Sequence, residues 1–329
     1  MTPLAPHLTA FILEYLPRER ACSRHTCDTY SYAFQLLLRF AAERCRTSPS
    51  SLTLEQLSAS LVLAFLEHLE KARGNSASTR NARLAAIRSF ARFIEYRVPS
   101  AIEQVRCILA IPQKKTDNAL VDYLVLQELQ ALLDAPDPTT VAGTRDRAML
   151  HLGFAAGLRV SELIGLLLGD VQTHPHASVR VRGKGRRERL LPLWKETVSA
   201  LRAWIAVRGG SSAPELFLNA RGGPLTRSGF EYILAKHVKV AAVACPSISS
   251  KRVSPHVLRH TCAMHSLRAT RDVRKVSLWL GHASVKSTEI YLRADPTEKL
   301  ATLEAGVAPP LRRGRFQSPD KLLALLRSS

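Results

Sequence analysis

The chain has 329 residues, of which 46% are hydrophobic and 22% charged, so it is long enough for two domains and too apolar to be wholly disordered. Lys and Arg outnumber Asp and Glu by 47 to 27, a net charge of +20, and so basic a surface favours a polyanionic partner such as nucleic acid. No apolar run approaches the roughly 20 residues of a membrane-spanning helix, and the N-terminus has no secretory signal pattern, so we expect a cytoplasmic protein.

Six cysteines are scattered along the chain without a CxxC pair. Cys22, His25 and Cys27 could begin a zinc site, but no second pair of ligands follows at the spacing that zinc sites use. We therefore expect reduced thiols, no metal site and no cofactor.

The first 112 residues have helical periodicity almost throughout. Apolar residues recur at helical spacing over residues 9–16, 26–46, 58–74 and 77–98. The last segment has an apolar side and a basic side that carries Arg80, Arg88 and Arg92, which is either simply solvated or in contact with phosphates. We predict an all-α N-terminal domain over residues 1–112, followed by a linker over residues 113–122 where proline and polar residues break the periodicity.

From residue 123 onward, helical segments surround one β-hairpin. Helices are predicted over residues 124–133, 144–156, 161–168, 194–207 and 226–244. Two β-like runs, 178–182 and 189–193, flank a glycine-bearing tip with Lys184, Arg186 and Arg187, and 214–218 reads as a brief strand. The tip lacks the spacing and the Ser or Thr of a P-loop. The pattern predicts a mainly α domain with a small β-sheet (α+β) over residues 123–308.

Residues 309–329 form a C-terminal tail, in which Ser318 and Pro319 are typical of the start of a short helix. This helix would carry four leucines, at positions 322, 323, 325 and 326, and is too short to be stable alone. It is expected either to pack on its own domain or to dock onto a neighbouring protomer.

The stretch 254–293 gathers the residues with the clearest chemistry. Ser254 and Pro255 are typical of a helix N-cap and first turn, which places His256 and Arg259 on one face near a helix start that favours an anion. Gly281 is expected to end the next helix in a left-handed conformation, so that His282 lies in a turn. A further short helix carries Tyr291.

Three motifs in this stretch resemble the tyrosine recombinase (phage integrase) family, in its Xer-like or mobile-element branches. They are His256-Val257-Leu258-Arg259-His260, Leu280-Gly281-His282, and Tyr291 nine residues after His282. Upstream, the sequence GLRVSEL over residues 157–163 matches the family motif that supplies the first catalytic arginine, Arg159, although Ala156 replaces the usual threonine. Lys184 matches the β-hairpin lysine of the family.

The resemblance implies roles for six catalytic residues in DNA cleavage and rejoining without metal or ATP. Arg159 and Arg259 would present planar guanidinium groups to the scissile phosphate. Tyr291 would be the nucleophile, forming a 3′-phosphotyrosyl link, with His256 as the candidate to assist its deprotonation. His282 would hydrogen-bond a non-bridging oxygen, and Lys184 would protonate the leaving 5′-oxygen.

The resemblance also implies partners: double-stranded DNA, and a homo-tetramer that holds two duplexes. The N-terminal domain would be the core-binding half of a DNA clamp, and the candidate DNA-binding residues are Arg80, Arg88, Arg92, Arg186 and Arg187. His260 and His265 lie outside the matched positions and are assigned to packing or surface. Without the resemblance, Arg159 and Glu162 would be a weak surface ion pair.

Several functions remain open at this point. A site-specific recombinase that integrates or excises a mobile element is expected, with Xer-like resolution of chromosome or plasmid dimers as the alternative. A type IB topoisomerase uses similar chemistry on one duplex. A DNA-binding protein that kept the fold and lost catalysis is a third interpretation, against which the complete set of residues argues.

Overall fold

The computed structural model describes residues 1–116, 121–183, 188–209, 213–282, 284 and 287–294. The chain divides into two compact units, Met1–Asn118 and Ala119–Ser329. Within the described residues, no helix is both long and apolar enough to cross a bilayer.

Over residues 1–116, the N-terminal unit consists of helices and their connections, with one isolated bridge between Pro3 and Thr53. Serine side chains at positions 23, 58 and 76 begin three of them, each accepting a hydrogen bond from the backbone N–H three residues on. The helices are α1 Leu4–Ala10, which continues as a π-helical segment Phe11–Glu19, α2 Arg24–Cys45, α3 Ala59–Lys71, α4 Ala77–Glu95 and α5 Ile102–Ala110. Phe11, Phe34 and Phe90 meet in the core at ring distances of 5.3–6.0 Å. The prediction of an all-helical N-terminal part is confirmed.

The basic face predicted on α4 is partly wrong, because two of its arginines bind backbone carbonyls at the end of α5 and in the segment that follows it. Arg80 is 4% exposed and donates to the carbonyl of Pro112 at 2.8 Å. Arg88 donates to the carbonyls of Leu109, at 2.8 Å, and Ile111. Arg80 therefore does not lie on a solvated basic face of α4, and Arg88 is only partly exposed there. Arg92 is exposed, as predicted.

Asn81 extends the same contact by exchanging two hydrogen bonds with the backbone of Lys114, at 2.8 and 3.0 Å. The Lys114 ammonium in turn lies 2.9 Å from Glu70 on α3. Together, Arg80, Asn81 and Arg88 form a clasp that fixes residues 109–114 along α4.

Replacing Arg80 with Met should release this clasp. We expect the free energy of unfolding to fall by about 1–3 kcal/mol, because a charge-assisted hydrogen bond to a backbone carbonyl is lost. Trypsin should also cut sooner after Lys114 and Lys115, which limited proteolysis measures. The matched control is Arg92→Met on the same helix, which should change stability by less than about 0.5 kcal/mol. Equal protease sensitivity in the two variants would contradict the clasp.

The C-terminal unit is mainly helical and contains one small antiparallel sheet, which confirms the predicted fold class. Its helices are α6 Leu126–Asp134, α7 Val141–Ala155, α8 Val160–Ile164, α9 Lys195–Val207, α10 Arg227–Ala244, α11 Pro255–Thr270, α12 Val273–Leu280 and α13 Glu289–Ala294. The strands are β1 Val171–Gln172, β2 Ser178–Arg182 and β3 Glu188–Pro192, in the order β1-β2-β3.

The hairpin of β2 and β3 has the predicted position, and its register pairs Val179 with Leu191 and Val181 with Arg189. Val179 and Val181 are fully buried. Because side chains alternate across a strand, Arg189 shares the inner face with Leu191 and points toward the interior of the unit. The sheet therefore places the Arg189 guanidinium on the side that faces the core.

The brief strand predicted over residues 214–218 is wrong, since this segment makes only isolated bridges, Leu167 with Glu215 and Leu218 with Pro224. Leu216 and Phe217 are instead fully buried. The run over residues 214–218 is apolar because it is buried in the core, and periodicity alone cannot distinguish such a run from a strand.

Helix α7 lies at the centre of the unit. Ala148, Met149, Leu150 and Leu152 are all fully inaccessible, so the helix is buried over more than one stripe, although Thr144, Arg147 and His151 line an open groove on its remaining side. The chain leaves α7 at Gly157, with φ +56°, where a Cβ would lie 2.5 Å from the Leu280 side chain. Only glycine allows α12 to approach this closely.

Candidate active site

Arg159 lies at the start of α8, directly after the glycine turn that ends α7. Its backbone N–H donates to Glu162 Oε2 at 3.0 Å and its guanidinium to Glu162 Oε1 at 2.7 Å. The side chain remains 35% exposed. Arg159 is therefore held in place by one end of its guanidinium and is still accessible to a ligand from solvent.

Glu162 is not the surface residue that the local spacing suggests, because its side chain is only 4% exposed and faces three arginines. Arg189 donates to it at 2.8 Å from β3, and Arg259 lies 3.8 Å away on α11. Burial alone would raise the pKa of Glu162, but the hydrogen bonds from Arg189 and Arg159 outweigh it and lower the pKa. One carboxylate thus organises three cations from three parts of the chain.

Arg259 is buried at the centre of this cluster, with 4% of its surface exposed. It donates to the carbonyl of Gly157 and, at 2.8 Å, to the carbonyl of Leu280, which joins the ends of α7 and α12 to α11. Burial, followed by repulsion from Arg159, lowers the pKa of Arg259 to about 10. The group therefore stays protonated at neutral pH.

Gly281 ends α12 with φ +64°, as predicted, and a Cβ there would lie 2.9 Å from the Arg189 guanidinium. The turn that follows presents His282, whose Nδ1 is hydrogen-bonded to the hydroxyl of buried Thr288 at 2.8 Å. Burial, with the nearby Arg259, lowers the pKa of His282 to about 4, so the imidazole is neutral at physiological pH.

Tyr291, on α13, is 1% exposed and lies among these groups. Its ring stacks near His282, with centroids 6.4 Å apart and planes at 14°. Its hydroxyl is hydrogen-bonded to His260 Nδ1 at 2.9 Å. Burial raises the pKa of Tyr291 to about 12, against the lowering effect of Arg259. The phenol is therefore protonated in the protein without DNA.

His260, which the sequence analysis left outside the site and assigned to packing or surface, is the histidine that contacts the Tyr291 hydroxyl. His256 is exposed in the first turn of α11, and the contacts of the described residues do not connect it to the Tyr291 hydroxyl. His265 does pack, with Nε2 hydrogen-bonded to the carbonyl of Leu124 at 3.0 Å.

The structure thus brings together Arg159, Arg259, His282 and Tyr291, and leaves His256 at the edge of the site. Lys184, Arg186 and Arg187 lie outside the described residues, as does the tail 309–329. Sequence reasoning missed Glu162, Arg189 and His260. A signal for Arg189 was present, since it alternates with the inward-facing Leu191 on a strand.

Two family models match the chain over most of its length. The phage integrase family matches residues 122–298, and the phage integrase N-terminal SAM-like domain matches residues 10–97. The first alone covers more than half of the 329 residues.

Individual relatives agree with these models. The chain is 42% identical over 325 residues to y4rC of Sinorhizobium fredii, named as an integrase/recombinase, which covers 99% of this chain and 98% of that protein. It is 35% identical over 299 residues to the tyrosine recombinase XerC of Myxococcus xanthus, covering 88% and 94%.

Among solved structures, that of the XerH site-specific recombinase bound to a palindromic difH substrate has the same fold. Its TM-score is 0.66 at 20% identity, covering 91% of this chain and 85% of that one. The matched families, the relatives and the cluster of arginines, histidine and tyrosine lead to one conclusion: the chain belongs to the phage integrase family of tyrosine recombinases and is a site-specific DNA recombinase.

Proposed function

We propose that this recombinase integrates and excises a mobile element in bacterial DNA, within the cytoplasm. The support is the 42% identity to y4rC, named as an integrase/recombinase, over nearly the whole of both chains, compared with 35% to XerC of Myxococcus xanthus. Xer-like resolution of chromosome or plasmid dimers is the second candidate, supported by the 88% of this chain that aligns with XerC.

The chemistry rests on the contact of Glu162 with the cations around it. In this proposal the scissile phosphate binds beside Arg159 and Arg259, whose guanidinium groups neutralise its two non-bridging oxygens. Arg259 suits this role because its pKa of about 10 keeps it charged at neutral pH. Arg159 suits it because a third of its side chain faces solvent.

Tyr291 then attacks the phosphorus through its phenolic oxygen and passes its proton to His256, the candidate base, when the bound DNA brings the two groups together. The 3′-phosphotyrosyl bond forms as the bond to the 5′-oxygen breaks. Lys184 gives a proton to that leaving oxygen. His282 donates a hydrogen bond to a non-bridging oxygen from Nε2, a tautomer favoured when the Thr288 hydroxyl donates to Nδ1. Rejoining reverses these steps on a second strand.

The two parts of the chain would act as the halves of a DNA clamp, with residues 1–112 as the core-binding domain, 113–122 as the linker and 123–308 as the catalytic domain. Net positive charge on both parts supports this arrangement. Arg92, which is exposed, and the hairpin-tip residues Arg186 and Arg187 are the proposed phosphate contacts. Arg80 and Arg88 are not among them, because they hold the backbone of residues 109–112.

Recombination between two duplexes would need a tetramer, and we propose that the tail helix of one protomer docks onto the next. An apolar groove of about 520 Å³ in the C-terminal unit could receive its leucines. The groove is lined by large apolar side chains, including Leu129, Phe154, Trp194, Val276 and Trp279. Trp194 is 54% exposed there, which is unusual for so large an apolar residue.

A double variant in which both Leu322 and Leu326 are replaced by Asp should assemble more weakly. We expect unaltered affinity for a single site and at least roughly tenfold less of the complex that joins two sites, because two charges would face an apolar groove. Mass photometry on DNA carrying one site measures both species. Lys321→Asp in the same segment is the control for added negative charge. Two-site complexes at the normal level in the double variant would contradict docking through these leucines.

An excision assay tests the proposed function. A supercoiled plasmid carries two direct copies of the DNA that flanks this reading frame, and a second plasmid carries two copies of the host chromosome's dimer-resolution site. We expect the purified protein to release a circle from the first plasmid alone. Release from the second alone would support the Xer-like candidate, and relaxation of plasmids without any site would indicate a topoisomerase.

A further inference from the structure

Two histidines on α11 lie one helical turn apart, and they have different surroundings. His256 is exposed, whereas His260 is half-buried, and their ring centroids are 6.3 Å apart. Only the second contacts the Tyr291 hydroxyl among the described residues, at 2.9 Å from Nδ1, with the two rings edge to face at 5.5 Å. Within the described part of the chain, the oxygen that would attack the phosphate therefore has one hydrogen-bonding side chain, on the same helix as Arg259.

We infer that His260 positions the Tyr291 hydroxyl for attack, whereas the family resemblance points only to its neighbour His256, as the base that assists deprotonation. This inference deepens the proposed reaction and rests on it. His260 acts through Tyr291 and is a positioning residue.

The contact between His260 and Tyr291 matters because the same helix also holds Arg259. Arg259 precedes His260 and is fixed by the carbonyls of Gly157 and Leu280. Because adjacent residues of one helix hold the guanidinium and the phenol, α11 sets the distance between the phosphate-binding group and the nucleophile. The His282 ring lies nearly parallel to the Tyr291 ring, with the centroids 6.4 Å apart.

Positioning, rather than proton removal, follows from the acid–base properties of the pair. Burial and nearby His256 lower the pKa of His260 to about 4, while the pKa of Tyr291 is raised to about 12. Transfer of the phenolic proton to this imidazole would therefore be strongly unfavourable. A neutral imidazole can still hold the hydroxyl through a hydrogen bond, and an asparagine amide can do the same.

The experiment compares His260→Leu and His260→Asn. A nicked DNA that carries the target site traps the covalent complex, and the rate of its formation is measured at saturating protein. We expect the Leu variant to be roughly 10- to 100-fold slower, because a misplaced nucleophile loses that much. The Asn variant, which keeps a hydrogen-bonding group near Nδ1, should recover to within about threefold of the unaltered rate. DNA affinity should be unchanged in both.

His265→Asn, on the same helix, is the matched control and should leave the rate unchanged. Thermal unfolding of each variant shows that loss of rate is not loss of fold. Normal cleavage by the Leu variant would overturn the inference. An Asn variant as slow as the Leu variant would also overturn it, because His260 would then act through proton exchange or through packing of its ring. Absence of a covalent complex from the unaltered protein would overturn the proposed reaction itself, and the inference with it.

Discussion

Tyr291→Phe should abolish covalent attachment to DNA while leaving binding intact. Removal of an enzyme's nucleophile costs roughly 10⁴-fold or more in rate, so the phosphotyrosyl complex should fall below detection on gels run in denaturant. DNA affinity should stay within about threefold, because the change removes no charge and binding is dominated by phosphate contacts. Gel shift and trapping on the same nicked substrate measure the two quantities.

The same substitution has a cost in stability. Loss of the Tyr291 hydroxyl leaves His260 Nδ1 without its partner in a half-buried position, and we expect about 1–2 kcal/mol of destabilisation. Tyr232→Phe, at a position 73% exposed in the same unit, is the control and should be unchanged in cleavage and stability. A covalent complex that persists in the Tyr291 variant would assign the nucleophile to another residue.

Glu162→Gln should have the largest effect on stability. The substitution keeps the shape of the side chain and removes the charge that faces Arg159, Arg189 and Arg259. Uncompensated buried cations should destabilise the protein by about 3–5 kcal/mol. Sulfate, which can replace the missing anion, should raise the melting temperature of the variant more than that of the unaltered protein. Chemical denaturation measures the first effect, and thermal denaturation with and without sulfate measures the second.

The pH dependence of this difference has a definite sign. The folded-state pKa of Glu162 is lowered, so its stabilising effect is fully present above the unfolded value of about 4.3 and is lost as pH falls through the lower folded value. The stability gap between the two proteins should therefore be constant near neutrality and shrink in acid. A gap that widens in acid, or a Gln variant as stable as the unaltered protein at pH 7, would contradict a charged, buried Glu162.

Local signals in the sequence predicted much of this architecture. Ser254 and Pro255 begin α11 and Gly281 ends α12, because capping depends on a few adjacent residues. The alternation of apolar and polar residues likewise predicted the position of the β2–β3 hairpin. Motif spacing then identified Arg159, Arg259, His282 and Tyr291, which the structure brings together.

The errors concern contacts between distant segments. Which of His256 and His260 reaches Tyr291 depends on where α13 packs, 31 residues further along the chain. The burial of Glu162 depends on Arg189, 27 residues away on a strand. Arg80 appeared exposed on a helical wheel because the wheel does not include the backbone of residues 109–114, which covers that side of α4.

The most direct measurement is to identify the residue that carries DNA after cleavage. The unaltered protein is trapped on a nicked target site, digested with nuclease and protease, and the nucleotide-bearing peptide is sequenced by mass spectrometry. The account predicts a single adduct, on the phenolic oxygen of Tyr291, with the DNA attached through its 3′-phosphate. An adduct on any other side chain, or attachment through a 5′-phosphate, would contradict it.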